Sequence, residues 1–144
     1  MKNSITITLI FTLFFVCTPA SSMSLKDKDN AYKQYIINEN LSSKDKVNGF
    51  KFSGWKSLSN NYLIITAGHR KDYLVETRGE CFNLKNAQNI KLNRSSSLTI
   101  NKLGDSISPS GINTDKCYIK SIYSVTNIQA DYLVNFGKDV ENKS

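Results

Sequence analysis

Histidine, proline and tryptophan are scarce in this chain, and their scarcity narrows the classes of function that it can carry. The 144 residues include one histidine, two prolines, one tryptophan and three cysteines. The sequence has no Cys-x-x-Cys unit and no pair of histidines, so it predicts no metal site of the usual spacing. With 40% hydrophobic and 22% charged residues it is typical of one small globular domain rather than a disordered tail. We expect no cofactor, because a chain of this length buries one modest core and no deep nucleotide cleft.

The sequence also lacks a hydrophobic run long enough to cross a membrane. Its longest apolar stretch, residues 5–16, is short of the roughly 20 residues that a transmembrane helix needs. This stretch follows the basic residue Lys2 and precedes the small residues of 18–22, which is the pattern of a secretory leader. We therefore predict a signal peptide over residues 1–22, no membrane span after its cleavage, and a periplasmic or secreted protein. An uncleaved N-terminal anchor is the alternative.

Cys17 lies at the end of the apolar stretch, where a lipoprotein would carry its lipid-attached cysteine. The three residues before it are Phe14, Phe15 and Val16, whereas lipid attachment favours a leucine followed by a small residue. The sequence therefore disfavours a lipid anchor at Cys17, and leaves it as an alternative to removal with the leader.

The two remaining cysteines, Cys81 and Cys117, are an even number for an oxidising compartment. We predict that they form a disulfide. The competing interpretation makes one of them a nucleophile activated by His69, but a second cysteine would be oxidised with it on export.

The formal charge is +7, and it becomes +6 for a mature chain of 18 basic and 12 acidic residues without Lys2. The lysines are scattered, and the one tight basic cluster is His69, Arg70 and Lys71. A nucleic-acid surface would need several cations on one face with aromatic residues between them. The distribution therefore disfavours nucleic acid as a partner.

Apolar periodicity changes along the chain from helical to alternating. Residues 26–40 carry apolar side chains at helical spacing, and residues 41–49 are polar and predict a connection. Runs of β-formers follow, separated by a glycine-bearing hairpin at 67–72 and a loop predicted at 106–115. The predicted strands cover residues 50–55, 62–66, 73–77, 89–92, 98–103 and 116–125.

Strands at this short spacing predict a mainly β (α+β) fold, a small antiparallel sheet or partly open barrel with one N-terminal helix, stapled by a disulfide. The predicted organisation is a signal peptide at 1–22, a helix and connection at 23–49, a β-rich domain at 50–125 and a partly disordered C-terminal extension at 126–144.

Several short motifs lie between residues 50 and 125. They are Trp55, Tyr73-Leu74-Val75, Cys81-Phe82-Asn83-Leu84 with Ala87 and Ile90, Gly104-Asp105 with Ile107, and Cys117-Tyr118-Ile119 with Ile122. Together they resemble the motifs of the exported bacterial domain-of-unknown-function family 6491. Members of that family are small proteins with a leader, often described as hypothetical proteins or lipoproteins. The resemblance implies a shared compartment and fold, and it supplies no catalytic residues.

The sequence favours a small envelope protein that acts as a non-enzymatic binding or structural module, with an unknown envelope partner or ligand. The alternative is a small secreted hydrolase or nuclease that uses His69. The candidate binding-surface residues are Asp105, His69, Arg70 and Lys71. For Asp105, which follows a glycine, we expect side-chain hydrogen bonds to local backbone in a turn, with ligand binding as the second role.

Overall fold

The structure, a computed structural model, describes residues 23–110 and 115–139. The predicted leader, with Cys17, lies outside these residues. Within them the chain forms two helices and eight strands. In chain order these are α1 (Leu25–Asn38), β1 (Lys46–Asn48), β2 (Phe52–Ser57), β3 (Tyr62–Ala67), β4 (Lys71–Thr77), β5 (Ile90–Asn93), β6 (Thr99–Asn101), β7 (Ser106–Pro109), β8 (Cys117–Val125) and α2 (Asn127–Asp139).

Six of the strands form one curled, half-barrel sheet in the order β2-β3-β4-β8-β7-β5, and β1 pairs with β6 in a small second sheet. Every pairing is antiparallel. The centre of the large sheet joins distant segments, since β4 pairs with β8 from Asp72 opposite Val125 to Thr77 opposite Ile119. The mainly β fold with a partly open barrel and an N-terminal helix is thus confirmed.

Both faces of the central strands are buried, in two separate apolar clusters. On the inner face, Val75 packs in a cluster that includes Val47 and Ile100 of the small sheet. On the outer face, its neighbour Leu74 packs in a cluster with residues of α1 and α2. Because successive side chains of a strand point to opposite faces, the near-continuous apolar runs of β3 and β4 serve both clusters.

Helix α1 is capped and docked by local polar contacts. Ser24 and Asp27 form a reciprocal capping box at its start. One turn later, the Asp29 carboxylate accepts a 2.5 Å hydrogen bond from Ser59, whose hydroxyl also accepts from the backbone N–H of Tyr62. Burial raises the pKa of the Asp29 carboxyl above its ordinary value, against the opposing effect of the Ser59 hydrogen bond. This contact fixes α1 over the turn between β2 and β3.

Helix α2 lies in the segment interpreted from the sequence as an extension, where no helix was predicted. Thr126 and Gln129 cap its start reciprocally, through bonds of 2.9 and 3.2 Å. Ala130, Leu133 and Val134 are buried against the sheet, at the spacing of three and four residues that defines one helix face. Residues 127–139 of the predicted C-terminal extension thus form α2, while residues 140–144 lie outside the described part.

Two further segments differ from the sequence-based predictions. The connection predicted at 41–49 contains the short strand β1, and the loop predicted at 106–115 begins with β7, whose four residues are all buried. Strand β7 forms because it lies between β8 and β5 and is paired on both sides. Its last residue is Pro109, which lacks the N–H group needed to continue a ladder.

The predicted pairing of Cys81 with Cys117 is confirmed, since their sulfur atoms are at bonding distance and their Cα atoms are 5.5 Å apart. Both cysteines belong to the inner-face cluster. The bridge ties the segment after β4 to the first residue of β8, so it links two regions that the β4–β8 pairing also brings together.

Candidate functional site

A groove of about 580 Å³ lies on the outer face of the large sheet. We call it the hairpin groove, because one end is closed by the loop between β3 and β4. Its floor is formed by β3 and β4, and its two sides by β2 and α2. The lining residues are Lys56, Ile64, Thr66, Gly68, His69, Arg70, Asp72, Asn127, Ala130, Asp131 and Val134.

The hairpin loop has a tightly defined backbone. Gly68 and Arg70 both adopt positive φ angles, of 54° and 65°. The Gly68 N–H donates to the carbonyl of Lys51 at 2.7 Å, which anchors the loop to the chain entering β2. This conformation places the exposed side chains of His69 and Arg70 at one end of the groove.

Asp72 is the fixed anionic group of the groove floor. Its Oδ1 atom accepts a 2.6 Å hydrogen bond from the Thr66 hydroxyl on the adjacent strand. In the amide orientation that satisfies its neighbours, Asn127 donates to Asp72 Oδ2 at 3.1 Å and to the Arg70 carbonyl at 3.3 Å. Asn127, the first residue of α2, therefore hydrogen-bonds to both the hairpin loop and the Asp72 carboxylate. A carboxylate has about four lone-pair positions, so Asp72 retains acceptor capacity for a ligand.

Charges of both signs surround this floor at positions set by the secondary structure. Lys56 lies on the edge strand β2 opposite Ile64 of β3, which puts its side chain on the outer face beside the groove. Asp131 is on the exposed flank of α2, one position after the buried Ala130. The groove therefore has cations on β2 and the hairpin, and carboxylates on β4 and α2.

The structure separates the candidate binding-surface residues into two places. His69 and Arg70 line the hairpin groove, whereas Lys71 begins β4 and is not among its lining residues. Asp105 lines a different depression, at the opposite side of the sheet order near β5 and β7. There its carboxylate accepts hydrogen bonds from the backbone N–H groups of Asn101 at 2.8 Å and Ser95 at 3.4 Å.

The groove does not assemble a nucleophilic site around His69. Thr66 carries the one hydroxyl among the described lining residues, and that hydroxyl donates to Asp72. Within residues 23–110 and 115–139, no group of three histidine, cysteine, aspartate or glutamate side chains is arranged to hold a metal ion. The arrangement suits binding by charge and hydrogen bonds.

Sequence reasoning did not identify Lys56, Asn127 or Asp131 as site residues. Lys56 has a local signal, since it alternates with Trp55 in a strand pattern, but its neighbour across the sheet cannot be read from the sequence. Asn127 and Asp131 depend on α2. The spacing of Ala130, Leu133 and Val134 was the signal that could have located that helix.

Comparison of the sequence with known protein families gives a match. A model described as a family of unknown function (DUF6491) matches residues 1–135. No curated protein and no solved structure matches the chain. The two helices in the described ranges both fall short of the length and apolar character that a bilayer crossing requires.

Proposed function

The chain belongs to the family of unknown function DUF6491, and from this premise we propose that it is an exported, non-enzymatic envelope protein that binds a small zwitterionic ligand in the hairpin groove. The observation that carries the binding proposal is the groove itself, in which charges of opposite sign lie around one floor. The proposal that the protein is exported is supported by other observations.

Export is supported by the leader pattern of residues 1–22 and by the Cys81–Cys117 disulfide. Disulfides form and persist in oxidising compartments and are rare where glutathione keeps thiols reduced. A protein that needs this bridge for its stability has a physical reason to be folded outside the cytoplasm.

We expect protein recovered from the periplasm to begin near Ser21 or Met23, because leader peptidase cuts after small side chains. Intact-mass measurement of that protein checks this start. A mass that still includes residues 1–22 would contradict cleavage. A chain that begins at Cys17 and carries added lipid mass would instead establish the lipoprotein alternative.

The ligand class follows from the groove's size and charges. A volume of about 580 Å³ is within the usual range for small-molecule sites, about 300–1,000 Å³. Asp72 and Asp131 attract a cationic group, while Lys56 and Arg70 attract an anionic one. The apolar residues Ile64 and Val134 line the same groove, so a short peptide carrying both termini fits this set of side chains.

We expect diglycine to bind the purified mature protein, and Asp131→Asn to weaken that binding about fivefold, the size of one exposed ion pair. Lys56→Gln should weaken it by a similar factor, because it removes the opposite charge. Chemical-shift titration in ¹⁵N-labelled protein measures both affinities and shows whether the hairpin and α2 signals move.

The matched control is Asp115→Asn, which removes an exposed carboxylate outside the groove. It should bind diglycine as the unmodified protein does. If no signal of the groove shifts with diglycine, or if the control weakens binding as much as Asp131→Asn, the proposed ligand class is wrong.

A further inference from the structure

A second depression, of about 490 Å³, lies where β5, β7 and the start of β8 meet the turn before β7. We call it the Asp105 basin. The residues that bear on its chemistry are Lys91, Arg94, Asp105, Ser106, Lys116 and Tyr118. It shares no lining residue with the hairpin groove, and neither helix contributes to its lining.

The floor of the basin is a row of polar side chains produced by strand register. Asn93 of β5 lies opposite Ser106 of β7, and Ser106 lies opposite Tyr118 of β8. Residues opposite each other in a sheet share a face, so these three side chains point the same way. Ser106 is only 2% exposed, and its hydroxyl accepts a 3.3 Å hydrogen bond from the Asn93 amide. This bond uses one acceptor position of the hydroxyl and leaves its O–H group able to donate to a ligand.

Arg94 contributes a positive charge at a fixed position. One of its nitrogens donates to the backbone carbonyls of Ser97 at 3.0 Å, Thr99 at 3.3 Å and Phe50 at 3.4 Å. Its guanidinium also lies 5.4 Å from the centre of the Phe50 ring. Carbonyl groups and a ring orient this cation without neutralising its charge, so the guanidinium is preorganised before any ligand binds.

The basin carries an excess of positive charge. Lys91, Arg94 and Lys116 oppose one carboxylate, Asp105, which is 3% exposed and accepts two backbone hydrogen bonds. None of the three cations forms an ion pair within the described part of the chain. Lys91 and Lys116 are exposed and free to move toward a bound anion.

We propose that the Asp105 basin binds a phosphate monoester. Two excess positive charges match a dianion, which is the main form of a phosphate monoester at pH 7. Arg94 is held through one guanidinium nitrogen, so its remaining N–H groups can donate to the ligand, and the two lysines act as point charges, as lysines do at phosphates. Tyr118, 49% exposed, and Leu103, 68% exposed, line the same basin and provide apolar contact for the ester group.

The experiment is a calorimetric titration of the purified mature protein with phenyl phosphate. We expect saturable binding that weakens at least about tenfold in the double variant Lys91→Gln/Lys116→Gln, since two charge-assisted contacts are lost. Phenyl sulfate has the same shape and only one negative charge, so it should bind several-fold more weakly than phenyl phosphate. The matched control is Lys51→Gln, which removes an exposed lysine outside both depressions and should leave the affinity unchanged.

Vesicles separate the two sources of a phosphate monoester. Binding to phosphatidylcholine vesicles that contain phosphatidic acid, lost in the double variant, identifies a lipid headgroup. Binding to phenyl phosphate without binding to these vesicles identifies a soluble ester. The proposal is overturned if neither probe binds, or if the double variant binds as tightly as Lys51→Gln. Because both lysines are exposed, unchanged melting temperatures should show that the variants are folded.

Discussion

Replacing both Cys81 and Cys117 by alanine is expected to lower the free energy of unfolding by about 4 kcal/mol, the chain-entropy estimate for a closed loop of this length. The two cysteines are 36 residues apart in the sequence. For a domain of roughly this size, such a loss corresponds to a fall in melting temperature on the order of 15 °C. Thermal unfolding followed by far-ultraviolet circular dichroism measures it.

Reduction of the unmodified protein isolates the contribution of the covalent bond. Both cysteines are buried, so the alanine variant also loses packing contacts that the reduced protein retains. The reduced protein should therefore melt between the oxidised protein and the double variant. Equal melting temperatures before and after reduction, together with two free thiols in denatured unreduced protein, would contradict a stabilising bridge.

Leu133→Ala is expected to destabilise the protein by about 3 kcal/mol, the usual cost of emptying a fully packed leucine site. Leu133 is 1% exposed in the cluster that joins α2 to the outer face of the sheet. The matched control is Ile128→Ala on the same helix, where the side chain is 83% exposed and the change should cost less than about 0.5 kcal/mol.

Urea denaturation of the two variants provides the comparison. Because alanine favours helix at both positions, helix propensity acts in the same direction in each, and the difference reports packing against the sheet. Equal stabilities of Leu133→Ala and Ile128→Ala would mean that α2 contributes nothing to the folded core.

The sequence was sufficient to predict the elements whose residues carry a strong local pattern. Strands β3 and β4 are dense runs of β-formers, and α1 has apolar residues at helical spacing. Strands β1 and β7 could not be predicted, because they are short and form through pairing with distant partners. Val47 of β1, for example, lies opposite Ile100 of β6. Helix α2 was not predicted, because its first residues are polar and its apolar residues form only one narrow stripe.

The candidate sites were predictable only in part for the same reason. His69, Arg70 and Lys71 form a visible basic cluster, yet the partners that make a groove beside the first two come from β2 and α2. Asp105 was visible as a turn residue. The cations around it, Lys91 and Arg94 before it and Lys116 after it, are brought together by the β5–β7–β8 register rather than by any motif.

The pairing of β4 with β8 means that the large sheet can be completed only late in synthesis. Strand β4 emerges about 45 residues before the strand that covers its free edge, and it carries the apolar side chains Leu74 and Val75 on its two faces. Until β8 arrives, β3 and β4 present an open apolar ribbon of the kind that recruits other chains into aggregates. The pairing of β8 with β4 is therefore a late, non-local step, and folds that depend on non-local strand pairing form slowly.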